Sequence, residues 1–146
     1  MKIKRAKISN VNAIYNLGKN DFKKEKWFTK ETLRWNIKAN PKLCWVLEDK
    51  GKIIGSRLFC ETLGKTAWGW LIVIRKDLRN RKLGKFLFNE CCKKLKKMGL
   101  CRILTDVNSK NKASINWHKK MGYRKLGYVK DWFYKGEDAI IFAKEL

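Results

Sequence analysis

A chain of 146 residues is long enough for one domain with its own core, and 45% apolar with 12% aromatic residues suits a globular protein. The longest apolar run, Trp68–Ile74, falls far short of the ~20 residues of a membrane-crossing helix, and MKIKRAKIS at the N-terminus has no apolar core behind its charges, so neither membrane nor export is expected and a cytoplasmic location follows. With 36 Lys and Arg against 13 Asp and Glu the net charge is +23, which favours nucleic acid, an acidic protein, a ribosome or a polyphosphate, although lysines spread along the whole chain equally read as a solvated surface.

Residues 2–8 alternate as a first strand, and Ser9 or Asn10 can cap a helix running to about Asn20. Thr29 caps a second helix, which Asn40-Pro41 ends. Leu43–Glu48 and Ile53–Glu61 flank Asp49-Lys50-Gly51, a hairpin signal. Trp68–Ile74 reads as a continuous apolar strand buried on both faces. From Gly84 to Met98 the apolar residues Leu87, Phe88, Cys91, Leu95 and Met98 repeat at helical spacing, with lysines on the wet face and Gly99 as the stop. Residues 101–107 form another strand, Ala113–Met121 a helix stopped by Gly122, and 123–130 and 138–144 two last strands. This order predicts a single α/β domain over 1–146, with a mixed sheet of about seven strands and about four helices. Five cysteines without a C-x-x-C pair, and one histidine, supply no structural zinc site. The thiols read as core residues of a reduced compartment.

Two segments carry chemistry. Ile74-Arg-Lys-Asp-Leu-Arg79-Asn-Arg81-Lys82-Leu83-Gly84-Lys85 joins the buried strand to the long helix. Such a turn is rich in backbone N–H groups and has the positive end of a helix dipole behind it, which suits a pyrophosphate. Arg79, Arg81, Lys82 and Lys85 add charge, and Gly84 permits close approach. A basic loop before a helix is also commonly just a solvated face. The second segment is Asn111-Lys-Ala-Ser114-Ile115-Asn-Trp-His118-Lys-Lys-Met-Gly122-Tyr123.

The first segment resembles the acyl-CoA motif of the GNAT superfamily of N-acetyltransferases, Arg or Gln-x-x-Gly-x-Gly or Ala. Arg79 and Gly84 fit it, and Lys82 stands where the family usually has glycine. The second resembles the family's next motif, in which an asparagine precedes a helix that bears a tyrosine seven residues on. Here Asn111, Ser114, Ile115, Gly122 and Tyr123 fall at the expected offsets, while His118 takes the tyrosine's place. The ending Trp132-Phe-Tyr134-Lys-Gly136-Glu137-Asp138-Ala139 is similar to that of RimI-type N-terminal protein acetyltransferases. The likeness covers roughly residues 68–146.

The resemblance implies a GNAT-like fold, acetyl-CoA as co-substrate without a metal, and direct attack of an amine on the thioester. It places the cofactor against Ile72, Ile74, Arg79, Arg81, Lys82, Leu83, Gly84, Lys85, Asn111 and Ser114. If the fourth strand bulges as in the family, the Ile74 N–H meets the thioester oxygen. Asp106 is the candidate base, or merely a strand-end carboxylate capping a loop; Glu61 is the reserve. His118 is the candidate acid, or a packed core histidine, with Tyr123 and Tyr134 as alternatives. Trp27, Phe28, Trp132, Phe133 and Tyr134 either wall an amine pocket or close the core, and Asp131, Glu137 or Asp138 would attract a cation. The acceptor is a protein N-terminal α-amine by the Glu-Asp-Ala ending, or a small amine or lysine side chain. A different class remains: an inactive module of this fold binding RNA or an acidic partner. Either would be a monomer or homodimer.

Overall fold

The computed structural model describes residues Met1–Leu146. Strand β1 (Lys2–Arg5) leads through a 3-10 turn to helices α1 (Val11–Gly18) and α2 (Lys30–Ala39). Strands β2 (Cys44–Asp49), β3 (Lys52–Glu61) and β4 (Thr66–Ile74) follow, then α3 (Leu83–Lys97), β5 (Arg102–Asn108), α4 (Lys112–Lys120), β6 (Arg124–Tyr134) and β7 (Glu137–Glu145). These are the seven strands and four helices expected, in the expected order.

Local chemistry explains most boundaries. The Thr29 side chain accepts from the Thr32 N–H at 3.1 Å, a cap that starts α2. Lys50 and Gly51, at φ 49° and 77°, make the two-residue turn between β2 and β3. Two positive φ angles are what a type I′ hairpin demands. The first helix departs from expectation. Ser9 and Asn10 lie in the 3-10 turn Ile8–Asn10, and Asn10 Oδ1 accepts from the Lys7 N–H at 2.8 Å instead of capping α1. Helix α1 ends at Gly18, before Asn20, where a Cβ would lie 2.7 Å from the Phe28 ring.

The sheet runs β1-β2-β3-β4-β5-β7-β6, antiparallel throughout except for the β4–β5 pair. Helices cover both faces. Trp45, Leu47 and Phe59 pack with Leu87, Phe88 and Leu95 of α3. Cys44, Val46 and Leu58 pack with Val11 and Ile14 of α1 and with Leu33 and Ile37 of α2. The alternation along β2 thus feeds two cores, and its residues are apolar in succession because both faces are covered.

What makes room for a site is where pairing stops. Strands β4 and β5 pair only over Thr66–Gly69 and Arg102–Thr105, then splay apart. The register of β3 against β4 shifts as Leu58 meets Leu71 and Phe59 meets Gly69, which leaves Trp70 as a bulge residue. A bulge bends its strand, and here it does so where β4 leaves β5. Strand β4 is consequently not buried on both faces as its composition suggested. Leu71 and Val73 are buried, whereas Trp68, Trp70 and Ile72 are half-buried. The thiols also need one correction: Cys44 and Cys91 are core residues, but Cys101 is exposed at the start of β5.

Candidate active site

Two cavities open from the β4–β5 gap. The first, of about 680 Å³, runs from Ile72 and Ile74 along the start of α3. Arg75 N–H donates to Ile54 O of β3 at 2.8 Å. In an antiparallel ladder successive residues alternate direction, so Val73 also faces β3 while the backbones of Ile72 and Ile74 face the gap. The carbonyl of Ile74 confirms this by accepting from Arg79 Nε at 2.9 Å.

Of the residues expected to hold a cofactor, Arg79, Lys82, Leu83, Gly84, Lys85, Asn111 and Ser114 line this cavity with Ile72 and Ile74; Arg81 does not, and it is exposed. Arg79 is already spent: besides Ile74 O, its guanidinium pairs with Asp21 and so ties the loop to the segment after α1. Asn111 is committed too, its side chain capping α4 by accepting from the Ser114 N–H at 3.1 Å. The free positive groups are Lys82 and Lys85 at the α3 N-terminus, with Lys120 from the last turn of α4. Lys120 carried no signal in the sequence, because two lysines and a histidine share that last turn. Lys82 is the N-cap of α3 with φ 61°, and Asn80 has φ 65°. The left-handed conformation is the reason a glycine suits position 82. At Gly84, an added Cβ would meet nothing closer than Ile74 Cγ1 at 3.9 Å, so glycine or alanine would fit.

The second cavity, of about 640 Å³, lies at the other end of the gap. Trp27, Trp132, Phe133 and Tyr134 line it, whereas Phe28 is buried in the α1–α2 core. Trp132–Tyr134 continue β6 and are not part of a loop. Asp106 sits at this cavity's wall, and both of its oxygens are engaged: Oδ1 accepts from Trp68 Nε1 at 2.8 Å and Oδ2 from Trp132 Nε1 at 2.9 Å. The Tyr134 hydroxyl accepts from the Lys26 N–H at 3.0 Å, joining the end of β6 to the α1–α2 connection over the cavity.

Three carboxylates expected here do other work. Asp131 accepts from the Gly136 N–H, and Asp138 accepts from the Asp131 N–H and the Tyr128 hydroxyl, which shapes the β6–β7 hairpin. Glu137 is held by Asn108 and Lys110. These hydrogen bonds keep the Glu137 and Asp138 carboxyls below their ordinary values, and neither residue lines either of the two cavities. Glu61 is exposed at the end of β3 and lines neither cavity.

The cavities share Phe22, Ile72, Asn111, Ser114 and His118. His118 is 6% exposed, stacked on Phe142 and edge-on to Trp117 and Tyr123. Burial pushes its ring down to about 4, outweighing the opposing hydrogen bond to Ser114. Its Nδ1 lies 2.7 Å from the Ser114 carbonyl oxygen, so Nδ1 carries the proton and Nε2 a lone pair. Tyr123 is buried as well, its hydroxyl raised to about 12 by burial, and it accepts from Arg57 Nη2 at 3.4 Å. Sequence reasoning passed over Arg57, although the cavity is also lined by it.

The profile of the Acetyltransferase (GNAT) family matches residues 10–123. The chain belongs to the GNAT acetyltransferase family. A search of curated protein sequences finds no match. Among solved structures, Ard1 from Thermoplasma volcanium superposes with a TM-score of 0.89 at 13% identity, over 99% of this chain and 97% of that one. The ribosomal-protein-S18-alanine N-acetyltransferase of Escherichia coli gives 0.81 at 21% identity, over 99% and 92%. PaiA N-acetyltransferase of Thermoplasma acidophilum, solved with coenzyme A, gives 0.78 at 18% identity, over 99% and 98%. At these identities the likeness is one of fold. For a GNAT acetyltransferase, acetyl-CoA fits as co-substrate, and no cluster of three His, Cys, Asp or Glu side chains could hold a metal. No helix is long and apolar enough to cross a membrane.

Proposed function

We propose that this GNAT acetyltransferase moves an acetyl group from acetyl-CoA to a protein N-terminal α-amine by direct attack on the thioester. The observation that carries the reading is the pair of cavities meeting at the splayed strands, one basic and helix-capped, the other aromatic with the Asp106 carboxylate in its wall. The diphosphate lies against the α3 N-terminus, Lys82, Lys85 and Lys120, where amides and ammonium groups converge. The thioester oxygen takes the N–H of Ile72 or Ile74, the two amides aimed into the gap. Losing such a donor costs on the order of 10²–10³ in rate.

The amine enters between the Glu25–Trp27 segment and the end of β6. Asp106, a carboxylate held still by two indoles, attracts the ammonium and takes its proton directly or through water. His118 enters the reaction neutral, and its one N–H is committed to Ser114. Neutral, with its one N–H committed, it can accept a hydrogen bond at Nε2, and on this reading it has no proton to return to the sulfur. The Tyr134 hydroxyl accepts from Lys26 and lines the acceptor side, where its O–H can donate a hydrogen bond to the incoming substrate.

The α-amine is supported by two fold neighbours, Ard1 and the ribosomal-protein-S18-alanine N-acetyltransferase. A panel of N-terminal peptides, lysine-containing peptides blocked at the N-terminus, and small amines, read by release of free CoA thiol, tests it. Peptides with a free α-amine should turn over best. Preference for blocked peptides or small amines would move the acceptor class. Absence of any thiol release, together with salt-steep RNA binding, would replace catalysis with a binding role.

A further inference from the structure

Arg57 is the only buried lysine or arginine in the protein, at 2% exposure. None of the fold's ion pairs includes it. Its Nε is buried without any partner, and its guanidinium lies 4.3 Å from the Phe59 ring centroid. The 3.4 Å contact of Nη2 with the Tyr123 hydroxyl is its one polar contact. An unpaired buried charge is costly, far beyond what one long hydrogen bond returns. The chain nevertheless makes room for it: a Cβ on Gly69 would lie 2.5 Å from Nη2.

Position says which anion completes it. Gly69 and Thr105 form the last β4–β5 pair, so the guanidinium lies just behind the point where the sheet opens. It lines the second cavity with Ser114 and His118, which also line the first. The phosphates belong at the far end, beside α3, and the acceptor brings an amine. Of the negative charges that appear at the junction, the oxyanion already has the N–H of Ile72 or Ile74, and the one left without a partner is the sulfur's, when the thioester breaks. We infer that Arg57 stabilises the departing CoA sulfur as a thiolate, in place of a proton donor. The inference rests on the acetyl-transfer reading. The amine lone pair forms the N–C bond, and the C–S pair leaves on sulfur opposite the guanidinium. The amine proton goes to Asp106 or water, and the thiolate is protonated only on release to solvent.

The other groups around that sulfur do not supply the charge. His118 of α4 is neutral, and Tyr123 keeps its proton. Burial raises the thiols of Cys91 and Cys92 on α3, that of Cys91 to about 12, and Asp106 on β5 is an acidic side chain with both oxygens held by indoles. Lys144 of β7 lies at Gly122, past the C-terminal end of α4, and lines neither cavity.

The test is the acidity of CoA's own thiol in the complex. Thiolate absorbance is titrated as a difference between the CoA and desulfo-CoA complexes of the wild type, R57K and R57M. In the wild type the bound thiol should be about tenfold or more acidic than free CoA, as an opposite charge at contact distance produces. R57K should keep most of that shift and R57M should lose it. Bound CoA that titrates like free CoA in the wild type overturns the inference without any variant, so a variant that fails to fold leaves the test intact. A shift that survives in R57M overturns it equally. So does an unshifted thiol alongside an Arg57-dependent preference for carboxylate-bearing amines, which would make Arg57 an acceptor contact. Calorimetry with desulfo-CoA separates the two levels: no heat defeats the cofactor site itself, whereas heat with an unshifted thiol defeats only the role of Arg57.

Discussion

Replacing Lys82 by glycine should make the protein more stable and its grip on acetyl-CoA weaker. At φ 61° and ψ 12° Lys82 is in the left-handed region, which costs a side-chain-bearing residue about 1–2 kcal/mol. Glycine avoids that cost but carries about 0.5–1 kcal/mol more chain entropy into the unfolded state. The net gain is about 0.5–1 kcal/mol. With a urea m-value of about 2 kcal/mol/M for a domain of this kind, the midpoint should rise by about 0.3–0.5 M at unchanged slope. The same change removes one exposed ammonium from the mouth of the basic cavity. That is worth about 0.2–1 kcal/mol at low salt, hence a loss of up to about fivefold in acetyl-CoA affinity, fading as salt rises. Urea titration and calorimetry at two ionic strengths read the two effects separately. A lowered midpoint would show that the lysine side chain anchors the loop and outweighs its backbone. Unchanged low-salt affinity would remove its ammonium from the phosphate site.

His118 makes stability depend on pH in a definite direction. Its ordinary value is 6.5 and burial depresses it to about 4, so between those values the unfolded chain binds the extra proton. The stability it contributes is therefore complete above about 6.5 and lost as pH falls through about 4, some 3 kcal/mol in all. Urea midpoints from pH 7 to 4 should fall less steeply for His118→Phe than for the wild type; parallel slopes would place the ring in solvent. Asp106→Asn presents an amide N–H₂ to one of the two indole donors. Stability should drop by about 1–2 kcal/mol, and kcat by at least 10²-fold if the carboxylate is the base. A kcat within threefold of wild type would assign Asp106 a purely structural part. Tyr134→Phe frees the Lys26 N–H, which should raise the acceptor KM several-fold and leave the heat of acetyl-CoA binding as it was. If acetyl-CoA binding weakens equally, the tyrosine shapes both cavities.

How much of this was legible depends on the range over which each feature is decided. The α3 pattern, the Thr29 cap, the Lys50-Gly51 turn and the Asn111 helix start are decided within a few residues, and they were read nearly as they stand. The loop at Arg79–Lys85 was read as a charged cradle, yet a sum of charges does not show that Asp21, far off in the chain, already neutralises Arg79. The acidic hairpin after Asp131 misled for the same reason: its carboxylates find their partners in their own turn and in Asn108 and Lys110. Strand β3 shows the limit most sharply. It carries Arg57 and Glu61 four residues apart, and sequence reasoning weighed the glutamate. Which of them lines the acceptor cavity is decided by β3's register on β4 and by the missing side chain at Gly69, neither of which leaves a mark near residue 57. An arginine in a run of residues buried on both faces, Ile54 to Phe59, was the available signal. A charge with no business in a core is there for an anion that the chain itself does not contain.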